Sequence, residues 1–126
     1  MTAWIALALA ALIAVGIILI GLRFLWSPEA AAAGFGIPGA PGEALHFRSW
    51  LSVKGVRDIA SGLFVLLLMA NGAPRLLGAF ILIATLIPIG DAASVLRSGG
   101  TKAGAFGVHG ATAAVMLATS ALLALS

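Results

Sequence analysis

Charged positions divide this chain into apolar stretches. Residues 1–22, 59–74, 76–90 and 103–126 contain no Lys, Arg, Asp or Glu. A helix that crosses the hydrocarbon core of a bilayer needs roughly 20 apolar residues. The first and last stretches have that length, and the two middle ones reach it only by drawing Arg57, Asp58 and Asp91 toward the membrane. The pattern predicts helices over about 3–25, 54–72, 75–97 and 103–125, with a long connection at 27–53. The expected fold is all-α: a single membrane domain, residues 1–126, with four transmembrane helices in an antiparallel bundle.

The connections differ in kind. "NGAPR" reads as a tight turn, because Asn-Gly and Pro favour reversal, so the second and third helices form a hairpin. "SGGTK" is a second short turn. In the first connection, "SPEAAAAG" predicts a short helix with Ser27 as N-cap, Pro28 at its first position and Gly34 as its stop. "GFGIPGAPGE" follows as a Gly/Pro-rich bend. "HFRSWLSV" then places Phe47, Trp50 and Leu51 on one helical face. That segment is read as a short interfacial helix, either an anchor in the membrane interface or a lid over a site.

Composition agrees with a membrane protein. Of 126 residues, 62% are hydrophobic and 9% charged, whereas a soluble domain carries about 25% charged residues. The first stretch has no basic residue before its apolar core, and that core exceeds the 7–15 residues of a signal peptide; it reads as a retained helix. With no cysteine, disulfides and thiolate chemistry are excluded. Neither His46 nor His109 has a partner at metal-ligand spacing, and no phosphate loop or Ser-His-Asp spacing is present. No metal and no cofactor are expected.

The seven basic residues give a pI near 10.8, which raises the question of nucleic acid. Their distribution answers it. Arg23, Arg48, Lys54 and Arg57 flank the first connection and Arg97 and Lys102 the third, whereas the second has Arg75 alone. By the excess of Lys and Arg on cytoplasmic loops, the first and third connections are cytoplasmic and both termini face outside. The expected setting is the cell (inner) membrane, with the lipid bilayer rather than nucleic acid as partner.

Threading the helices on this topology brings Arg23, Arg57, Asp58, Asp91 and His109, from four different helices, to similar depth in the cytoplasmic leaflet. Asp91 lies six residues before Arg97 and His109 seven after Lys102, about 10 Å inside the basic boundary. A charged residue near a helix centre costs about 2.5–3.5 kcal/mol on insertion scales. The arginines can snorkel, but Asp91 has a short stem and is expected to turn inward to an arginine or to His109. Asp58 and Ser61 share a helical face, as do Asp91 and Ser94. His109, Thr112, Met116 and Thr119 extend a mixed face along the last helix. Pro88 removes a backbone bond to Ala84 and is expected to open the third helix around a polar pocket.

Small residues recur at four-residue spacing: Ala6, Ala10 and Ala14 on the first helix, with Ala103, Gly107, Ala111 and Gly110, Ala114, Ala118 on the last. Such faces let helices approach closely in lipid, and their number leaves some for a second copy, so a homodimer is expected.

Four segments, "GLRFLWSPEAAAAGFGIP", "VKGVRDIASG", "LIPIGDAASVLRSGG" and "AFGVHGATAAVML", resemble the small membrane proteins grouped as domain-of-unknown-function family 4267. The "GVRDxxSG", "PxGD" and "VHGxTA" pieces carry the likeness. The resemblance implies a four-helix membrane protein in which Arg57, Asp58, Asp91 and His109 match the family's polar signature. It implies no activity.

Two functional readings follow. In the first, the protein binds a lipophilic small molecule between its helices near the cytoplasmic interface and acts on it by isomerisation, cyclisation or epoxide opening. Asp58 and Asp91 would be acid and base, His109 would relay or orient, and Arg23 or Arg57 would stabilise developing negative charge. Ser61, Ser94, Thr112 and Trp50 complete the candidate contact set. In the second, the bundle is non-enzymatic, an assembly partner or a proton-linked carrier, with the charges forming a structural salt-bridge network.

Overall fold

The computed structural model describes residues 1–38 and 45–126, the side chains of Leu45 and His46 excepted. Among these residues every regular element is helical. The order is α1 (Thr2–Trp26), α2 (Pro28–Phe35), α3 (Leu45–Ala70), α4 (Pro74–Ala84), α5 (Leu86–Arg97), α6 (Lys102–Gly104), a π-helical stretch (Ala105–Gly110) and α7 (Ala111–Ala124). Among the described residues three helical lengths, Thr2–Trp26, Pro74–Arg97 and Lys102–Ala124, are long and apolar enough to cross a membrane. Leu12, Leu19, Leu63, Leu67, Ile83 and Leu86 stand exposed on their outer faces. An outer surface so apolar suits lipid rather than water.

α1 and α3 form the most extensive contact, and α4 and α7 the next. α1 runs antiparallel to α3: Gly62 lies against Ala14, while Gly55 lies against Gly21 and Phe24. The two backbones meet at this seam. A Cβ on Gly21 would stand 2.6 Å from the Gly55 carbonyl oxygen, and one on Gly55 2.7 Å from that of Gly21. Only glycine permits so close an approach. The second pair is tied by Ser120, whose hydroxyl donates to the Gly78 carbonyl at 2.8 Å. Ala6, Ala10 and Ala14 of α1, Val65 of α3, Leu77 and Ile81 of α4, and Met116 and Leu123 of α7 make the main core. Ala92, Val95 and Ala105, with Phe35 packed against them, make a smaller one at the end where Arg23 and Arg97 lie.

Local structure departs from the sequence expectation at several places. The helix expected from residue 54 begins at Leu45, so Phe47, Trp50 and Leu51 form its opening turns and no separate interfacial helix exists. Nothing between 45 and 70 breaks the helix, since the seam with α1 accommodates Gly55. α2 has Pro28 at its start, as expected, but the Ser27 side chain makes no capping bond. It stops at Gly36 rather than Gly34, because Gly36 takes the left-handed conformation at φ 100° that ends a helix. The part of the Gly/Pro-rich bend after Pro38 lies outside the described residues.

The third expected helix is divided at Thr85, one turn before Pro88, where the missing N–H leaves the ladder open. The Thr85 hydroxyl donates to the Ile81 carbonyl at 2.8 Å in the last turn of α4. In the last helix, Ala105–Gly110 widens to π geometry, which the reading did not anticipate. The turns before α4 and α6 run through Gly72 and Gly99, both at positive φ, and Thr101 caps α6 by accepting from the Gly104 N–H at 3.0 Å.

Candidate functional site

One end of the bundle gathers Lys54, Asp58, Asp91 and His109 from α3, α5 and the π-helical stretch. Asp58 is 6% exposed, and α1 buries it: a Cβ on Gly21 would lie 3.0 Å from that of Asp58. Its partner is Lys54, one turn back on the same helix, whose Nζ is 2.6 Å from Oδ2. The ammonium also sits over two aromatic rings, 4.6 Å from the Phe24 centroid and 5.3 Å from that of Phe35. Carboxylate and ring faces together replace the water that the cation has lost.

His109 is 7% exposed. Its Nε2 lies 2.8 Å from the Phe35 carbonyl oxygen, and its ring centroid lies 4.4 Å from that of Phe35 at a tilt of 50°. A carbonyl only accepts, so the hydrogen-bond network assigns the proton to Nε2. In the neutral ring, Nδ1 then presents a lone pair toward Asp91, whose Oδ2 is 3.9 Å away. Asp91 keeps 28% of its side chain exposed and lies within electrostatic reach of Lys54, His109 and Asp58.

Two acceptors facing one another are complete only when a proton lies between them. It can reside on Nδ1, on the carboxyl, or on a hydroxyl or water bridging both. At 3.9 Å the gap exceeds a direct hydrogen bond and fits a bridging donor. Asp58, held by Lys54, is committed to its partner.

The other expected site residues fall elsewhere. Arg23 and Arg57 are exposed, and among the described residues neither pairs with Asp58 or Asp91. The reason is helical phase. Arg23 is two positions beyond Gly21 and Arg57 two beyond Gly55, about 200° around each helix from the seam. Ser61 donates to the Arg57 carbonyl of its own helix at 2.9 Å, and Thr112 to that of Val108 at 2.8 Å. Ser94 is exposed and Trp50 is 70% exposed. Of the expected mixed face, His109, Met116 and Thr119 are buried while Thr112 turns outward.

Lys54, Phe24 and Phe35 join this end of the bundle beyond the residues expected from the sequence. Lys54 was signalled by its four-residue spacing to Asp58. Phe35 carried no signal, since it contributes a main-chain carbonyl, which every residue has. At the opposite end of the bundle, an apolar cavity of about 200 Å³ is lined by Leu7, Leu68, Met69, Pro74, Leu77 and Leu123 among others. Among the described residues no three His, Asp or Glu side chains gather as a metal ion requires.

A family model described as a domain of unknown function (DUF4267) matches residues 14–123, most of the chain. No curated protein and no solved structure matches it.

Proposed function

The chain belongs to the DUF4267 family, and from its own residues we propose a four-helix integral membrane protein that binds a lipophilic small molecule and acts on it by acid–base chemistry. α3 is the fourth span. Its 26 residues extend about 39 Å, and the part from Trp50 to Ala70 covers a hydrocarbon core of about 30 Å when Trp50 stays in the interface and Arg57 and Asp58 are drawn into the membrane. Basic residues at one end, Arg23, Arg48, Lys54, Arg57, Arg97 and Lys102 against Arg75 at the other, support cytoplasmic first and third connections and outside termini. Ala103, Gly107, Ala111, Ala114 and Ala118 are exposed on one helix and support a homodimer through that helix.

The observation that carries the reading is His109: buried, with Nε2–H held by a carbonyl and Nδ1 facing a half-exposed carboxylate. Asp91 takes and returns the proton, and His109 donates to or relays toward the substrate oxygen. The Lys54 ammonium offsets developing negative charge, and Asp58 holds Lys54 in place. Isomerisation, cyclisation and epoxide opening all suit this set, since each moves protons without changing oxidation state. A second reading, a structural network without chemistry, is favoured by the closed Lys54–Asp58 pair and by the absence of unsatisfied buried side-chain atoms among the described residues.

Infrared titration of Asp91 separates the two. Interacting groups titrate as a pair, so His109→Gln should move the pH at which the protonated Asp91 carboxyl band appears, with Lys54 and Asp58 unchanged. An identical Asp91 titration in parent and variant would leave only the structural network.

A further inference from the structure

Phe35 occupies the place where a substrate would meet His109. Its carbonyl takes the Nε2–H at 2.8 Å, its ring lies at 4.4 Å from the imidazole, and the Lys54 ammonium stands over the same ring at 5.3 Å. One residue of the chain thus presents a carbonyl oxygen and an adjoining planar apolar group to a proton donor and a cation. We propose that Phe35 is a built-in occupant of the site, and that the ligand which replaces it is a lipophilic carbonyl compound with a planar or ring-shaped apolar body. The proposal rests on the acid–base reading above and narrows it to a substrate class.

The chemistry of each contact supports the class. Nε2–H donates, so the ligand atom there must accept. The slot beside it is shaped by a flat hydrocarbon ring and backed by the apolar side chains of Ala92, Val95 and Ala105. The cation favours an oxygen on which negative charge can develop. A phosphate or carboxylate head would find Lys54 already neutralised by Asp58 at 2.6 Å, and a simple hydrocarbon would leave the Nε2–H without an acceptor.

The segment bearing Phe35 can leave. α2 has eight residues, and isolated helices shorter than about 12–15 residues are marginal. Its ends are the non-helical Ser27 and the left-handed Gly36. Apart from Phe35, among the described residues it is held by the buried Ala31, by an exposed ion pair between Glu29 and Arg48, and by Gly36 packed on Val95 and Gly100. Such an element opens at lower free energy than the bundle behind it.

With a carbonyl on Nε2, the step is proton transfer beside that carbonyl. The α C–H bond breaks, its proton passes to the Asp91 carboxylate, and the electron pair becomes the enolate C=C while the oxygen charge is held by Nε2–H. In a substrate with a β,γ double bond this enolate is a dienolate, and returning the proton from Asp91 to its γ carbon moves the double bond into conjugation with the carbonyl, with atoms and electrons balanced.

Acetophenone, added to the full chain in detergent, tests the proposal through its infrared C=O stretch. A bound, down-shifted carbonyl band is expected in the parent, with about tenfold tighter binding in Phe35→Ala and Phe35→Leu, which keep the main-chain carbonyl but lose the aromatic ring that seats it against His109 and Lys54, because a weakened competing occupant lowers apparent affinity less. His109→Phe should abolish the band, while Asp91→Asn should keep it. Absence of a His109-dependent band in both Phe35 variants overturns the proposal. Deuterium uptake from heavy water into the acetophenone methyl is read separately. A His109-dependent band without Asp91-dependent uptake sustains the ligand class and removes the acid–base reading.

Discussion

Replacing Gly55 with alanine adds one methyl group at the seam between α1 and α3. Its Cβ would lie 2.7 Å from the Gly21 carbonyl oxygen, 3.1 Å from the Phe24 Cβ and 3.3 Å from the Leu25 Cδ2. Ordinary contact begins at 3.4 Å, so the oxygen contact falls short by about 0.7 Å. That oxygen belongs to backbone inside α1 and cannot turn aside, so the helices must part. Overpacking of this kind costs about 1–3 kcal/mol, against which alanine regains about 0.5–1 kcal/mol of helix-interior preference over glycine. The net expectation is a loss of about 1–2 kcal/mol, read as a lower thermal midpoint in detergent. Gly16→Ala, in the interior of α1, is the control. Nothing lies within 4 Å of its Cβ, so only the helical gain remains and the midpoint should rise or hold. If Gly55→Ala melts no lower than Gly16→Ala, the α1–α3 approach is looser than described, and the burial of Asp58 under Gly21 loses its cause.

Three further outcomes are expected. Lys54→Met leaves the buried Asp58 without its partner and should cost about 3 kcal/mol; the double variant Lys54→Met/Asp58→Leu should recover most of that loss, and failure to recover would show that the pair is not what the site depends on. For topology, cysteines placed singly at Thr2 and Ser126 should label from outside intact cells and one at Ser98 should not; outside labelling of Ser98 would reverse the orientation. Backbone hydrogen bonding and then the Arg48 guanidinium hold the Glu29 carboxyl below its usual range. Its contribution to holding α2 is therefore full above the ordinary carboxylate pKa and lost as pH falls through the lowered one, so amide exchange in α2 should rise in acid, and Glu29→Gln should remove that acid dependence.

Position along the helix axes was legible in the sequence. Asp58, Asp91 and His109 do share one end of the bundle, because residue counts from the basic boundaries convert directly into rise. Direction around each helix was not legible from depth alone. Arg23 and Arg57 stand at that end yet turn away, and Lys54, which faces in, was counted only as a loop charge. Azimuth could have been argued for α3 from Gly55, Asp58 and Gly62, but the partner face of α1 became evident only in the packing. The break at Thr85 followed from Pro88. The long start of α3 did not follow from any one residue, since a run from Leu45 through Val53 suits an interfacial helix and the opening of a longer one equally. Phe35 entered the site through its backbone, to which side-chain identity is no guide.

The π-helical stretch Ala105–Gly110 uses one residue more than an α-helix needs for the same advance. An added residue in a packed helix ordinarily rotates everything beyond it by about 100°, scrambling which side chains meet the neighbours. Here the excess is stored in a single wide turn between two segments that keep their own contacts. Ala105, His109 and Ala113 therefore stay buried at four-residue intervals, an interval that would drift in a regular helix. Deleting one residue from this turn is expected to re-aim the imidazole while the helical segments on either side keep their register. The chain length here is a tuning variable for the histidine, separable from the architecture that holds it.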